Sequence, residues 1–452
     1  MMSAATPDAA FLRDLGGGLI MRRSRAEDRE RIAAFHATTL LGPDETPPLE
    51  RIRYWLLDAL GGAHPTIRPD AFVFVEDTAT GRIVSSVGLF ATTWTYEGIP
   101  MPVGQVDVVS TDPAYRRRGL VAQQFAEVHA WSAQRGDLMQ VIPGIPWYYR
   151  QFGYEFAVNL EGGRVATRAD VPPSSLTLGE AEPFVFRPLA ERDLPFVQTL
   201  YEAATRRSPL AVPRDEAFWR FDVFGRHDQS GLASRHVVFA AATAPEQPVG
   251  VVIFARRLWG TRLGVRLLEV APGTPLVDVA PAVLRYLDAA GQRVAADIGK
   301  PCDGIEFELG EGHPLYDALP DALSRVVKPY AWYVRAPNLP RFLNTVAPAL
   351  EARLAASPQA GYSGELALSS YRSGVKLTLA GGRITVSAYT PERVEDGDAF
   401  FPDLTFLKLL MGYRTLADLE YAYPDCSVES PAARALLPVL FPQRPSHVWD
   451  PT

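Results

Sequence analysis

A chain of 452 residues is too long for one ordinary hydrophobic core, so about two to four domains are expected. With 47% hydrophobic and 21% charged residues it falls among folded globular chains, which excludes a disordered or fibrous protein. The net charge of −7 argues against nucleic acid as the main partner, because phosphate binding needs a basic field, and weakly favours a cationic small molecule.

The first domain opens with a strand at Leu19 to Met21, a helix carrying Ile32, Ala33 and Phe35, and a second helix through Ile52, Trp55, Leu56 and Leu60. Apolar runs at Ala71 to Val75 and Ile83 to Phe90, separated by Ala79-Thr80-Gly81, predict an antiparallel hairpin. Val103 to Val109 reads as the next strand. After Pro113 comes a basic turn, then a helix whose Val121, Phe125 and Val128 form one stripe, closed by Arg135-Gly136. A strand at Leu138 to Ile142 completes a strand–helix–strand crossover.

Between Glu161 and Pro183 the chain turns polar and proline-bearing, which predicts a boundary. Phe186-Arg187-Pro188-Leu189 and a helix through Phe196, Leu200 and Tyr201 repeat the opening of the first domain, and Leu267 to Pro272 repeats its strand–proline step. This is the pattern of an internal duplication. The second copy reads Gly273-Thr274-Pro275 where the first has arginines, so it is expected to lack the first copy's ligand. From Asn338 a third segment carries a helix over Phe342 to Leu354 and strands through Val375, Leu377 and Leu379 and through Ile384 and Val386, joined at Gly381-Gly382. Helices through Phe406, Leu407 and Leu410 and over Ala432 to Leu440 come last. The mixed order makes the chain α/β with α+β character.

Cys302 and Cys426 lie far apart at no metal or disulfide spacing, and no two of the seven histidines stand at a zinc-binding helical spacing. No metal is expected, and the cysteines are expected to be structural, in a reducing compartment. Residues 1–18 lack a basic-then-apolar leader, and no run of about 18 apolar residues occurs, so a cytoplasmic protein off the membrane is expected.

The chemistry concentrates at Val109-Ser110-Thr111-Asp112-Pro113-Ala114-Tyr115-Arg116-Arg117-Arg118-Gly119-Leu120-Val121-Ala122. A helix's first turn has backbone N–H groups without internal partners and carries the positive end of the dipole, so this turn suits a pyrophosphate. Gly119 lets the backbone approach it, and three arginines add forked cationic donors. A solvated helix start is the plain alternative, and Trp147-Tyr148-Tyr149-Arg150-Gln151-Phe152-Gly153-Tyr154 after the next strand decides against it.

Through Arg116-x-x-Gly119-x-Val121 and Tyr149-x-x-Phe152-Gly153-Tyr154 the chain resembles the GNAT acetyltransferase superfamily, with Val121 where Gly or Ala is usual. More closely, it resembles the Eis family of multi-acetylating aminoglycoside acetyltransferases, also through Arg214-Asp215-Glu216-Ala217-Phe218-Trp219 and Met411-Gly412-Tyr413-Arg414. The resemblance covers essentially the whole chain. It implies a catalytic GNAT domain over 18–160, a degenerate GNAT-like domain over 161–337 and a sterol-carrier-protein-like α+β domain over 338–452.

It further implies acetyl-CoA as cofactor, bound by Val109, Ser110 and Thr111 through the pantetheine arm in a splayed sheet and by Arg116 to Ala122 through the phosphates. Direct acetyl transfer to an amine would use Tyr149 as the acid for the thiolate, a backbone N–H near Val109 for the oxyanion and the carboxylate of Thr452 as base. Asp107, on one face of its strand with Val109 and Thr111, is the rival base or amine reader. Glu45 and Trp94 are expected to line the substrate pocket, and family members form hexamers. An acetyltransferase of protein lysine or of a metabolite, and a non-catalytic acyl-CoA or lipid binder, are the competing readings; a proton donor beside the basic turn argues against the last.

Overall fold

The computed structural model describes residues 10–41, 46–145, 147–173 and 182–450. The first sheet is built around Phe72–Asp77, whose first four residues are apolar and must be covered on both faces. Alternate residues go to opposite sides. Phe72 and Phe74 pack with Ile32, Phe35, Ile52 and Leu56 of helices Arg29–Thr39 and Glu50–Leu60. Val73 and Val75 pack with Phe125 and Val128 of helix Leu120–Arg135. The expected hairpin forms between Phe72–Asp77 and Arg82–Tyr96.

The strands of this sheet run in the order 11–16, 19–23, 72–77, 82–96, 99–111, 139–143, 330–335, 155–160. The second sheet runs 325–327, 163–167, 304–307, 262–270, 248–259, 234–241, 184–188. Seven positions of the two orders correspond, as the inferred duplication requires. The exception in sequence order is a reciprocal exchange: Tyr330–Arg335 inserts between Met139–Pro143 and Glu155–Leu160 of the first sheet. Gly163–Thr167 inserts between Gly304–Phe307 and Arg325–Val327 of the second. The sequence limits assign 330–335 to the second domain, whereas its hydrogen bonds place it in the first sheet. Composition and periodicity do not distinguish the two, because an exchanged strand has the same apolar pattern as an unexchanged one.

The third unit packs helix Leu339–Ala355 on a five-stranded sheet ordered 383–389, 374–380, 364–369, 399–400, 427–428. Gly381 and Gly382 both have positive φ (55° and 77°) and close the two-residue hairpin between Ala380 and Arg383. Phe342, Val346 and Leu350 at helical spacing share one core with Trp94, Tyr96, Met101 and Val103 of the first sheet. Trp94, expected in the substrate pocket, is fully buried there, its ring edge-on to Trp332 with centroids 5.4 Å apart. It is a core residue. Cys302 and Cys426 are both buried with free thiols. Among the described residues no helix is long and apolar enough to cross a membrane, and no group of three metal-ligating side chains assembles.

Candidate active site

Strand Ile99–Thr111 pairs in parallel with Met139–Pro143 only from Val103 to Gln105. Beyond Gln105 the two diverge and leave a fork in the sheet. A β-bulge falls at the same place: Ser110 opposes Ser86 and Asp107 opposes Gly88, so Val108 and Val109 together face Val87. Val108 takes φ 50°, and its N–H donates to Asp107 Oδ1 at 2.7 Å. The bulge re-aims the backbone at the mouth of the fork, while the other edge of Ser110 and Thr111 stays paired to Ser86 and Ser85.

After Thr111, Asp112 caps the short turn Pro113–Tyr115 by accepting from Ala114 N at 2.9 Å. Arg117 (φ 63°) and Gly119 (φ 72°) are both left-handed, and Gly119 caps helix Leu120–Arg135. A Cβ on Gly119 would meet open space, so the turn is a cradle. The first-turn N–H groups of Leu120, Val121 and Ala122 precede the first helical bond, Gln123 N to Gly119 O. The helix is fixed from behind by the buried Gln124, which accepts from Ser85 Oγ (2.5 Å) and donates to Val73 O (2.9 Å). The three arginines are exposed, and no carboxylate among the described residues pairs with them. Arg116 Nε donates to Thr111 O (3.2 Å) and Arg118 Nη2 to Ala114 O (3.2 Å), which hold their stems beside the turn.

One cleft of about 490 Å³ is lined by Val109, Ser110, Thr111, all of Arg116 to Ala122, and Tyr148, Tyr149 and Phe152 from the facing short helix. Every expected cofactor residue and the expected acid thus meet in a single cavity. Tyr149 is 6% exposed and stands among Phe125, Tyr148 and Tyr333. Its hydroxyl has no hydrogen-bond partner among the described residues. Burial first, then the neighbouring Asp107 charge, raises its pKa, so the phenol stays protonated throughout the neutral range.

One edge of the ring abuts Gly144: a Cβ there would fall 2.0 Å from Tyr149 Cε2 and 2.1 Å from Cδ2. Gly144→Ala is therefore expected to push the ring aside at about 1–3 kcal/mol of overpacking. Turnover should drop while coenzyme A affinity holds, which steady-state kinetics beside binding calorimetry would show.

Asp107 sits where the fork opens. Its Oδ2 accepts from Gln105 Nε2 at 2.9 Å, and the same nitrogen donates to Asp450 Oδ1 at 3.1 Å. Burial, then the Asp450 charge, pushes the Asp107 pKa up to about 7. Asp450 reaches this point because the chain's tail is strapped across the domains. Trp332 Nε1 donates to Val448 O (3.0 Å), Val448 N to Asn159 O (3.2 Å), and Arg214 Nη2 to Asp450 O (2.8 Å). Asp450 and Gln105 are site residues that motif reasoning missed; the one available signal was a glutamine two residues before Asp107 on the same strand face. Glu45 and Thr452 lie outside the described residues.

The second sheet repeats the fork. Arg262–Val270 pairs with Gly304–Phe307 from Arg262 to Val265 and then diverges. Its cavity of about 380 Å³ is lined by Glu269 and Gly310 to His313 but also by His447, Val448 and Trp449 of the tail, with Gly310 packed on His447. The next helix, Leu276–Ile298, starts from Pro275 without a basic turn.

Residues 21–157 match the family model described as an acetyltransferase (GNAT) domain. A search of curated protein sequences finds no match. Among solved structures the chain is similar to a probable N-acyltransferase from Enterococcus faecalis V583, at 15% identity and TM-score 0.63 over 96% of this chain and 99% of that one. It is similar to a GCN5-related N-acetyltransferase from Kribbella flavida at 17% identity and TM-score 0.62, covering 96% and 99%. It is also similar to Eis1 from Mycobacterium abscessus at 15% identity and TM-score 0.56, covering 95% and 99%. These likenesses establish the fold over the whole length, two GNAT-like mixed sheets followed by an α+β unit. The family match spans the fork, the basic turn, the helix and the Tyr149 turn, so residues 21–157 are an acetyltransferase (GNAT) domain.

Proposed function

We propose that the protein transfers acetyl from acetyl-CoA to an amine of a cationic small molecule, directly and in a ternary complex, with aminoglycosides as the first substrate class to test. The observation that carries this reading is the single cleft joining the phosphate-type turn of Arg116 to Ala122 with the unpartnered hydroxyl of Tyr149. Acetyl-CoA supplies the activated acyl group: the amine nitrogen adds to the thioester carbonyl, the C–S bond breaks, and an amide and a free thiol result.

The protein's residues do the rest. N–H groups at the helix start and the three guanidinium groups hold the phosphates. The open edge of Val109 to Thr111 receives the amide-bearing arm, and the N–H of Val109 at the bulge is offered to the carbonyl oxygen as it gains charge. Asp107 accepts one proton from the incoming ammonium and passes it to solvent; Tyr149 donates one to the departing thiolate and is reprotonated by the second proton that the nitrogen sheds as the amide forms. Holding both reactants in the fork contributes up to about 7–11 kcal/mol through orientation.

A base with pKa near 7 gives a measurable signature. As pH rises through about 7, Asp107 loses its proton and kcat/KM should climb. In Asp107→Asn that limb should vanish and turnover should fall about 10²-fold or more; an unchanged profile would remove Asp107 from the mechanism. The Thr452 carboxylate is the rival base by the Eis-family resemblance, and a variant ending at Asp450 separates the two.

We read the third unit as sterol-carrier-protein-like and the assembly as a hexamer, both from the Eis-family resemblance; light scattering checks the assembly. The third unit also holds a cavity of about 400 Å³ lined by Leu368, Val375, Phe401 and Leu407, among others, the one observation that favours a lipid- or acyl-binding reading. Free thiol released from acetyl-CoA, followed over aminoglycosides, polyamines and lysine peptides, distinguishes the possibilities. Stimulation by aminoglycosides is the expected result. Stimulation by lysine peptides alone would shift the substrate class, and no stimulation by any amine would overturn the reading.

A further inference from the structure

Arg214 opens the Arg214-Asp215-Glu216-Ala217-Phe218-Trp219 segment of the second sheet's unit, far in sequence from the cleft, and belongs to no part of the transfer described above. Only 3% of its surface is exposed. Its guanidinium lies over the Trp449 ring at 3.6 Å from the centroid and over Phe218 at 4.5 Å, and Nη2 donates to Asp450 O at 2.8 Å. An arginine sandwiched between rings and bonded to a main-chain oxygen is held rigidly, and so is what it touches. Two of its nitrogens, Nε and Nη1, are buried without partners. No carboxylate in the described residues forms an ion pair with it; Tyr201, Asp222 and then Asp450 offset part of its desolvation cost, and Asp450 O accepts its hydrogen bond.

We propose that Arg214 is a positioning residue for acetyl transfer: it clamps Trp449 and Asp450, so that the Asp450 carboxylate stands against Gln105 and Asp107 at the mouth of the first fork. The inference rests on the reading of Asp107 as the base. The clamp gives the second unit a task in the reaction. Its own fork is lined by tail residues His447 to Trp449, and its Arg214 aims Asp450, the next residue of the tail, at the neighbouring fork. The continuity is physical: Arg214 to Asp450 O, Asp450 Oδ1 to Gln105 Nε2, and the same nitrogen to Asp107 Oδ2.

Asp450 and Arg214 line one cavity with Glu161, Asp222, Arg226, Arg266, Glu308 and His447, and Tyr201 also acts on Arg214. Asp450 faces Asp107 from the tail, and Tyr149 faces it from the short helix. Glu161 and Arg214 in turn feel the Asp450 charge. Gly88 opposes Asp107 on the neighbouring strand and carries no charge. Releasing the tail removes a negative charge from beside Asp107 and opens it to water, and both effects lower its pKa.

The test uses the full-length protein and three variants: Arg214→Met, Trp449→Ala and Asp450→Asn. Trp449→Ala breaks the same stack from the tail side, so the outcome does not depend on Arg214→Met folding. Hydrogen–deuterium exchange of the peptide covering 446–450 should speed up at least about tenfold in Arg214→Met and in Trp449→Ala, as local opening becomes easier. With kanamycin as the amine, the acidic limb of kcat/KM should move to lower pH in all three, and combining Arg214→Met with Asp450→Asn should add no further move. The KM for acetyl-CoA should stay put, and Arg214→Lys should restore part of kcat.

Unchanged exchange in both clamp variants, or additive pH moves in the double variant, would overturn the proposal. If Asp107→Asn leaves the profile unaltered, the base assignment fails instead, a result that the exchange data do not share.

Discussion

Replacing Tyr149 with phenylalanine is expected to cut kcat by about 10²–10⁴-fold, the usual worth of a positioned general acid, while coenzyme A affinity stays close to that of the parent. The expectation is sharp because the substitution removes one oxygen and little else. The ring keeps its stacking with Phe125 and its seat on Gly144. The hydroxyl has no hydrogen bond to lose among the described residues, so no buried partner there is stranded and stability should scarcely change. Stopped-flow or steady-state thiol release checks kcat, and calorimetry checks affinity. A variant with parental turnover would mean that solvent protonates the thiolate.

The second large effect belongs to the basic turn. Converting Arg116, Arg117 and Arg118 together to glutamine should weaken coenzyme A binding by about 100-fold or more, since each hydrogen bond to a charged group contributes about 1.5–3 kcal/mol. It should do so with little change in kcat at saturation, because binding that is uniform between ground and transition state acts on KM alone. The folded state should tolerate the change: the three side chains are exposed, pair with no carboxylate among the described residues, and touch the carbonyls of Thr111 and Ala114 and the Tyr115 ring. Affinity should also fall with added salt, as expected of exposed cations meeting phosphate. An unaltered affinity would move the diphosphate away from this turn.

The first domain was legible because its signals are local. The apolar run at Phe72 to Val75, the stripe Val121, Phe125 and Val128, and the Arg-to-Gly turn before a helix each report their own surroundings: the run and the stripe pack into the domain's cores, and the turn lines the cleft. What stayed hidden depends on partners distant in sequence. Nothing near Tyr330 says that its strand lies between 139–143 and 155–160, because exchange preserves the apolar pattern. Trp94 was expected in the substrate pocket; the third unit, placed on that end of the sheet, makes it core. Asp107 was visible as a carboxylate on the right face, but its pKa depends on Asp450, at the far end of the chain, and on Gln105 between them. Arg214 was conspicuous only as part of a motif; its contact with Trp449 is purely tertiary.

The most direct measurement is a crystal structure with coenzyme A and an amine bound. The diphosphate should rest on the N–H groups from Arg117 to Ala122, with the sulfur within hydrogen-bonding reach of Tyr149 Oη and the amine nitrogen between that sulfur and Asp107. A diphosphate bound elsewhere, or a Tyr149 hydroxyl turned away from the sulfur, would contradict it.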